Sequence, residues 1–233
     1  SIYDTCQPFP PGGCAGAVRV YNGATLALIT TLTTGAINDA FGSNVANAGD
    51  YNGDSVNDIV VGASGLGGPP GSNPFPLTPY VYVYSGANFG VLAQIPGPQY
   101  YDWGFNVAAG DFNKDGFNDL IISSSLSGTL TSNINLFLGP NGINAYTWTQ
   151  TTNLIRGFSI GDFNYDGFMD FAFGRPYQPS SPGDVSVHSL GGLWNYGTGP
   201  LSFTWTPLSG AGLGAVSVSG GTPNAPVYLI WSD

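Results

Sequence analysis

An aspartate-rich motif recurs along this chain and sets limits on its fold. The pattern Gly-Asp-x-Asn-x-Asp-x-x-x-Asp occurs three times, and an apolar run follows it each time. The copies begin at Gly49, Gly110 and Gly161, so their starts lie 61 and 51 residues apart. Repeats at such a period are typical of chains that build one small structural unit several times. We therefore expect several similar units and not a single irregular domain.

A second recurring segment is a short strand pattern that ends at a glycine turn. Apolar residues alternate with other residues before the turn, which is typical of β-hairpins. The four copies are Val18–Gly23, Val81–Gly86, Ile134–Gly139 and Val185–Gly191.

The two segments together predict a strand order. Let A and B be the strands before and after the aspartate motif, and C and D those before and after the glycine turn. The chain then reads CD, ABCD, ABCD, ABCD, AB. This order predicts an all-β fold of four-stranded blades, the architecture of a β-propeller. Three blades would be whole, and residues 17–34 and 213–231 would complete a fourth. We expect a four-bladed ring; the alternative is a larger ring or polymer in which half-blades pair between chains.

The charge composition narrows the functions open to the chain. All 14 acidic residues are aspartate, only four residues are Lys or Arg, and the formal net charge is −10. A nucleic-acid-binding protein needs a basic face, so no nucleic-acid partner is expected. One His, one Lys and no Glu leave few general bases, so we predict that the chain is not an enzyme and has no catalytic residue. No apolar stretch is long enough to predict a membrane span.

The spacing of the aspartate motif predicts a cation site in each loop. In Asp-x-Asn-x-Asp-Gly-x-x-Asp, the side chains at positions 1, 3, 5 and 9 and the backbone carbonyl at position 7 can converge on one ion, as in a shortened EF-hand loop. These hard oxygen donors favour Ca²⁺, and we expect three structural ions. Glycine at position 6 would permit a positive φ, but the first loop has Ser55 there. The predicted ligands are Asp50, Asn52, Asp54, Val56, Asp58, Asp111, Asn113, Asp115, Phe117, Asp119, Asp162, Asn164, Asp166, Phe168 and Asp170.

The N-terminal segment carries the only two cysteines of the chain. Cys6 and Cys14 flank a turn-rich stretch that could bring them within bridging distance, so we expect a disulfide in an extension formed by residues 1–16. An even cysteine count fits a secreted or cell-surface protein, and Ser1 is interpreted as a processed N-terminus. Residues 17–233 would then form the propeller.

The chain resembles the FG-GAP repeats of integrin α-chain propellers. The resemblance rests on Phe41-Gly42, Trp103-Gly104, the aspartate loops, Val61-Gly62-Ala63-Ser64 and the shorter Gly174-Arg175-Pro176. It implies calcium-stabilised blades in an extracellular protein. Propellers of this family usually have seven blades, whereas the segments of this chain account for four.

Aromatic residues in the longer loops are candidates for a ligand surface. Such rings suit sugar stacking or a protein contact, and the alternative is that they cover the rim of the core. Trp103 is instead expected to pack between blades, and His188, which aligns with Tyr21, Tyr84 and Phe137, to be a packing residue at the end of strand C. Asp39, which has no partner at loop spacing, is expected to contribute neither to stability nor to calcium binding. The candidate ligand surface consists of Phe75, Tyr100, Tyr101 and Tyr177.

Three functions remain open from the sequence. The first is an extracellular, calcium-stabilised module for adhesion, ligand binding or assembly, with a protein or glycan partner on the loop face. The second is a carbohydrate-binding lectin, and the third is a polysaccharide-active or phosphoester-cleaving enzyme, against which the scarcity of His, Lys and Glu weighs. A homo-oligomer or filament through half-blade pairing is compatible with the first. Fold-level resemblance alone does not choose among them.

Overall fold

The computed structural model describes residues 16–65, 78–98, 102–125, 129, 131–150, 155, 157–175, 184–189, 201–207 and 214–219. Within these residues the protein is all-β, with fifteen strands and no helix. No segment there meets the length and apolarity that a membrane-crossing helix requires.

The strands form four antiparallel sheets. The N-terminal hairpin is β1 (Val18–Tyr21) and β2 (Leu28–Leu32). Blade 1 is β3 (Phe41–Gly49), β4 (Asp58–Ala63), β5 (Tyr80–Tyr84) and β6 (Val91–Pro96). Blade 2 is β7 (Val107–Gly110), β8 (Asp119–Ser125), β9 (Ser132–Leu138) and β10 (Ile143–Gln150). Blade 3 is β11 (Gly157–Gly161), β12 (Asp170–Arg175), β13 (Asp184–Ser189) and β14 (Leu201–Pro207), and β15 (Gly214–Ser219) adds a fifth strand to its sheet.

This strand order confirms the predicted four-stranded unit. In each blade the strands on either side of the aspartate loop pair with each other, and the third and fourth strands follow in sequence. The first strands of the three blades, β3, β7 and β11, lie next to one another. Four-stranded antiparallel sheets whose first strands are adjacent are consistent with propeller blades.

The C-terminal strand differs from the prediction. Residues from 213 were expected to begin a half-blade that pairs with the N-terminal hairpin, but β15 pairs with β14 from Ser202↔Ser219 to Pro207↔Gly214. A short connection favours this pairing, because neighbours in sequence need little loop-closure entropy to meet. The rest of the expected half-blade lies outside the described residues, and four-bladed closure stays a prediction.

The core consists of layers between successive sheets. Adjacent residues on the second strand of a blade enter different layers: Val60 packs toward blade 2, whereas Val61 packs toward the N-terminal hairpin. In blade 2, Leu120 packs toward blade 1 and Ile121 toward blade 3. A strand that is covered on both faces needs apolar residues at consecutive positions, which explains the unbroken apolar run after each aspartate motif.

Glycines allow the blades to approach closely. A Cβ atom built on Gly62 would lie 2.3 Å from the carbonyl oxygen of Gly104 in the next blade. Gly104, at φ 75°, and Gly42, at φ 87°, adopt left-handed backbone that favours glycine, and they abut the preceding sheet at Val81 on β5 and Val18 on β1. Gly42, Gly62 and Gly104 thus share one physical role, because each lets neighbouring sheets approach closely.

Candidate metal-binding loops

Each aspartate loop is folded around its first carboxylate. In the first loop, Asp50 Oδ1 accepts hydrogen bonds from Gly53 N at 2.7 Å and Asp54 N at 2.9 Å, and Oδ2 accepts one from Ser55 N at 2.8 Å. Asn52 Oδ1 accepts from Asp54 N, and its amide donates to Asp54 Oδ2, both at 3.0 Å. Asp54 Oδ1 in turn accepts from Val56 N at 2.8 Å. The side chains at positions 1, 3 and 5 are therefore brought together.

The same network recurs in the other two loops. Asp111 and Asp162 accept N–H groups from positions 5 and 6. The asparagine at position 3 again bridges to position 5, and the aspartate at position 5 again accepts from the N–H at position 7. Three copies with one hydrogen-bond pattern show that the spacing of the motif determines the loop conformation.

Two loop positions require a left-handed backbone. Position 6 has a φ of 93° at Gly116 and 82° at Gly167, as the sequence predicted, and Ser55 adopts 67° in spite of its side chain. Position 4 also has a positive φ, at Gly53, Lys114 and Tyr165, which the spacing of the motif did not predict. A non-glycine residue in this region carries strain. Each loop thus places one glycine and one non-glycine at these two positions, with the order reversed in the first loop.

We predict that Ser55→Gly stabilises the protein. The substitution removes strain of about 1 kcal/mol at a left-handed position, and the greater freedom of glycine in the unfolded chain offsets part of the gain. Gly116→Ser in the second loop is the reverse change and should destabilise by a similar amount. Urea unfolding of both variants in chelator checks the pair, and equal and same-signed effects would contradict this account of position 6.

The aspartate at position 9 is placed differently from the other three side-chain ligands of the loop. Asp58, Asp119 and Asp170 are all buried. Asp58 accepts from Tyr51 N and Gly86 N, both at 3.0 Å. Asp119 accepts from Phe112 N and Gly139 N, both at 2.9 Å. Each of these two carboxylates therefore joins its aspartate loop to the glycine turn between the third and fourth strands of the same blade.

The spacing of the motif did not predict that position 9 joins the loop to the glycine turn. The glycine that ends each recurring strand segment is the sequence signal that could have indicated this contact. Asp170 makes the corresponding contact with Phe163 N at 2.9 Å, and its turn glycine lies outside the described residues. Burial raises the pKa of Asp119 to about 6, the two N–H bonds oppose that shift, and the charges of Asp115 and Asp111 add to it. A cation in the loop would favour the ionised carboxylate and lower this pKa.

The loop oxygens fit a hard cation through a mixed set of carboxylate, amide and carbonyl donors. Among the described residues no three Asp, His, Cys or Glu side chains form a group that could hold a metal by themselves. An ion would therefore also need the asparagine oxygen and a backbone carbonyl, which is the mixed donor set that Ca²⁺ accepts. The position-9 oxygens of Asp58 and Asp119 each accept one N–H and retain lone pairs.

Neighbouring loops contact each other through positions 4 and 7. A Cβ atom on Gly53 would lie 2.6 Å from the ring of Phe117. The Lys114 ammonium lies 3.7 Å from the ring centroid of Phe168, a cation–π contact. Asn118 N also donates to the Asp50 carbonyl at 3.0 Å. The three loops form one continuous row.

The expected packing residues are where the sequence placed them. Trp103 is buried between blades 1 and 2, has an edge contact with Phe137 at 5.8 Å and donates its indole N–H to the Ile95 carbonyl. His188 is buried and stacks on Phe171 and Phe173 with centroid distances of 5.1 and 5.2 Å.

The expectation for Asp39 was wrong as regards stability. Its carboxylate is buried, accepts from Phe41 N at 3.0 Å and also accepts from the Thr34 hydroxyl. These bonds fix the entry to blade 1. The candidate ligand surface (Phe75, Tyr100, Tyr101 and Tyr177) and the cysteine pair Cys6 and Cys14 lie outside the described residues.

Comparisons with known proteins agree with the repeat and its loops. Residues 103–135, from Trp103 through the second loop into β9, match the FG-GAP repeat family. The chain is 26% identical over 203 residues to integrin alpha-PS2 of Drosophila melanogaster, which covers 78% of this chain. It is 29% identical over 153 residues to integrin alpha-5 of Xenopus laevis, which covers 59% of this chain. The aligned part is 14% of the length of each relative. The chain thus contains a segment that matches the FG-GAP repeat family, it is similar to integrin α chains, and its four-stranded antiparallel sheets are consistent with β-propeller blades.

Proposed function

We propose that the chain is an extracellular adhesion or ligand-binding module whose blades are stabilised by Ca²⁺. The observation that carries this proposal is the hydrogen-bond network shared by the three loops, on a chain similar to integrin α chains. In this network the asparagine amide at position 3 donates to the carboxylate at position 5, so the two side chains lie next to each other. The proposed activity is binding, and the scarcity of His, Lys and Glu weighs against catalysis.

The ions would act on stability and not on chemistry. Each loop joins the first two strands of its blade, and the row of loops bridges blades 1, 2 and 3. Nine aspartates lie in these loops, so their mutual repulsion opposes the folded state in the absence of a cation. Asp50, Asp111 and Asp162 would anchor the ions, together with the side chains at positions 3 and 5 and the carbonyls of Val56, Phe117 and Phe168.

We predict that millimolar calcium raises the thermal midpoint by several degrees relative to chelator. Extracellular sites of this class have Kd values of about 10⁻⁴ to 10⁻³ M, so each would add on the order of 1 kcal/mol at millimolar calcium. Scanning calorimetry in calcium, magnesium and chelator makes the measurement. Equal midpoints in calcium and chelator would contradict a structural role for the ion.

The binding function has its own test. Surfaces coated with the full chain should support cell attachment in calcium and lose it in chelator, with the Asp115→Ala protein as an intermediate case. A glycan array separates the two kinds of partner, because a lectin would bind a defined glycan group while a protein-binding module would bind none. A chain that supports no attachment in calcium and binds no glycan would contradict the proposal.

A further inference from the structure

Successive sheets contact each other through the same strand positions. We call the side of a sheet that turns toward the next blade its front face, and the other side its back face. Front-face side chains of blades 1 and 2 are fully buried against the following blade. They are Val60, Val81 and Val83 in blade 1, and Ile121, Ile134 and Leu136 in blade 2.

The front face of blade 3 is open at these same positions. Register places Ala172, Val185 and Val187 where the buried residues of blades 1 and 2 lie; Val185 is 53% exposed, and Ala172 and Val187 are half-buried. Position 2 of the aspartate loops shows the same contrast between buried and exposed side chains. Tyr51 and Phe112 are buried by the following blade, whereas Phe163 at the equivalent position is 43% exposed. Blade 3 thus presents a surface that two earlier copies of the same unit keep covered.

The back face of the N-terminal hairpin is open in the complementary way. A ring-bearing residue at or next to the end of the third strand is buried on the back face in all three blades, at Tyr84, Phe137 and His188. Its counterpart in the hairpin is Tyr21, which follows the same register shift as Tyr84 but is 44% exposed. The described part of the chain therefore has one open front face and one open back face.

We infer that these two faces bind each other between two copies of this chain, head to tail. Front faces already pack against back faces at every junction between sheets in the described residues, so a contact between the two open faces would repeat that pairing of front with back. β15 extends the sheet of blade 3 at its outer edge, beyond β14, and does not add a layer over the front face. A contact between two different faces is heterologous, so it propagates into a filament or closes as a ring of several copies.

Sedimentation velocity of the full chain over a wide range of concentrations tests this inference. The average mass of the wild-type protein should rise with concentration. Val185→Lys on the front face and Tyr21→Lys on the back face should each give a protein that stays monomeric, because a buried lysine without a partner is costly at an interface. Both side chains are exposed in the single chain, so the fold should tolerate the change. The matched control is Val91→Lys, because Val91 is 56% exposed on β6 and belongs to neither face; it should assemble like the wild type.

A mixing experiment identifies the geometry of the contact. The Val185→Lys protein keeps an intact back face and the Tyr21→Lys protein keeps an intact front face, so the two together should form a one-to-one complex and nothing larger. A wild-type protein that remains monomeric at every concentration would overturn the inference, and intramolecular ring closure would give that result. Assembly that survives both substitutions would overturn it as well, because the contact would then lie on another surface.

Discussion

Gly62→Ala is expected to cost the protein about 3 kcal/mol or more of its free energy of unfolding. The added Cβ would lie 2.3 Å from the Gly104 carbonyl oxygen, and that atom is backbone in the neighbouring blade. No rotamer change can relieve such a contact, so blades 1 and 2 would have to separate. Separation would loosen the layer that holds Trp103, Val60 and Leu120.

The matched control for this substitution is Gly157→Ala. Gly157 also lies in a strand, its φ is not in the left-handed region, and no described atom lies within 4 Å of the position its Cβ would take. Its cost should be below about 1 kcal/mol, since alanine is no worse than glycine in a strand. Urea unfolding of both variants measures the difference. Equal losses from the two substitutions would show that the close approach of the blades is not a determinant of stability.

Asp119→Ala is expected to destabilise the protein by about 3 kcal/mol in chelator, and by more in calcium because position 9 is also a predicted ligand of the ion. The substitution leaves the buried N–H groups of Phe112 and Gly139 without an acceptor, and each unsatisfied buried group costs about 1 to 3 kcal/mol. Asp115→Ala removes an exposed carboxylate of the same loop and should cost much less in chelator. In calcium the Asp115 variant should also lose the share of stabilisation that one ion provides.

The pair Asp119→Ala and Asp115→Ala separates the two roles of the motif. Unfolding curves of both variants and of the wild type, each in calcium and in chelator, give the comparison. If Asp119→Ala destabilises only in calcium, position 9 acts through the ion and not through its two N–H bonds.

The strand order and the loop conformation could be predicted from the sequence because both depend on local patterns. Alternating apolar residues, the fixed spacing of Asp50, Asn52 and Asp54, and the recurring glycine turns each act over a few residues. The packing of Trp103 and His188 also followed, since each occupies a position that repeats along the chain.

Other features depend on contacts that spacing does not reveal. Asp119 reaches Gly139, twenty residues further along the chain, only because the register of β8 and β9 brings them together. Asp39 is fixed by Thr34 and Phe41 in an irregular turn that has no repeat to identify it. The alternating pattern of β15 suits either the edge of blade 3 or the N-terminal hairpin, so the sequence alone does not choose between them. In the structure β15 pairs with β14.

The central claim is that each aspartate loop binds one calcium ion, and isothermal titration of the full chain with calcium tests it most directly. The account predicts three ions per wild-type chain and two for Asp115→Ala. Asp39→Ala is the control, because Asp39 holds a turn outside the loops, and any folded fraction of that variant should still bind three. A wild-type chain that binds no calcium, or an Asp115→Ala chain that binds as many ions as the wild type, would contradict the account.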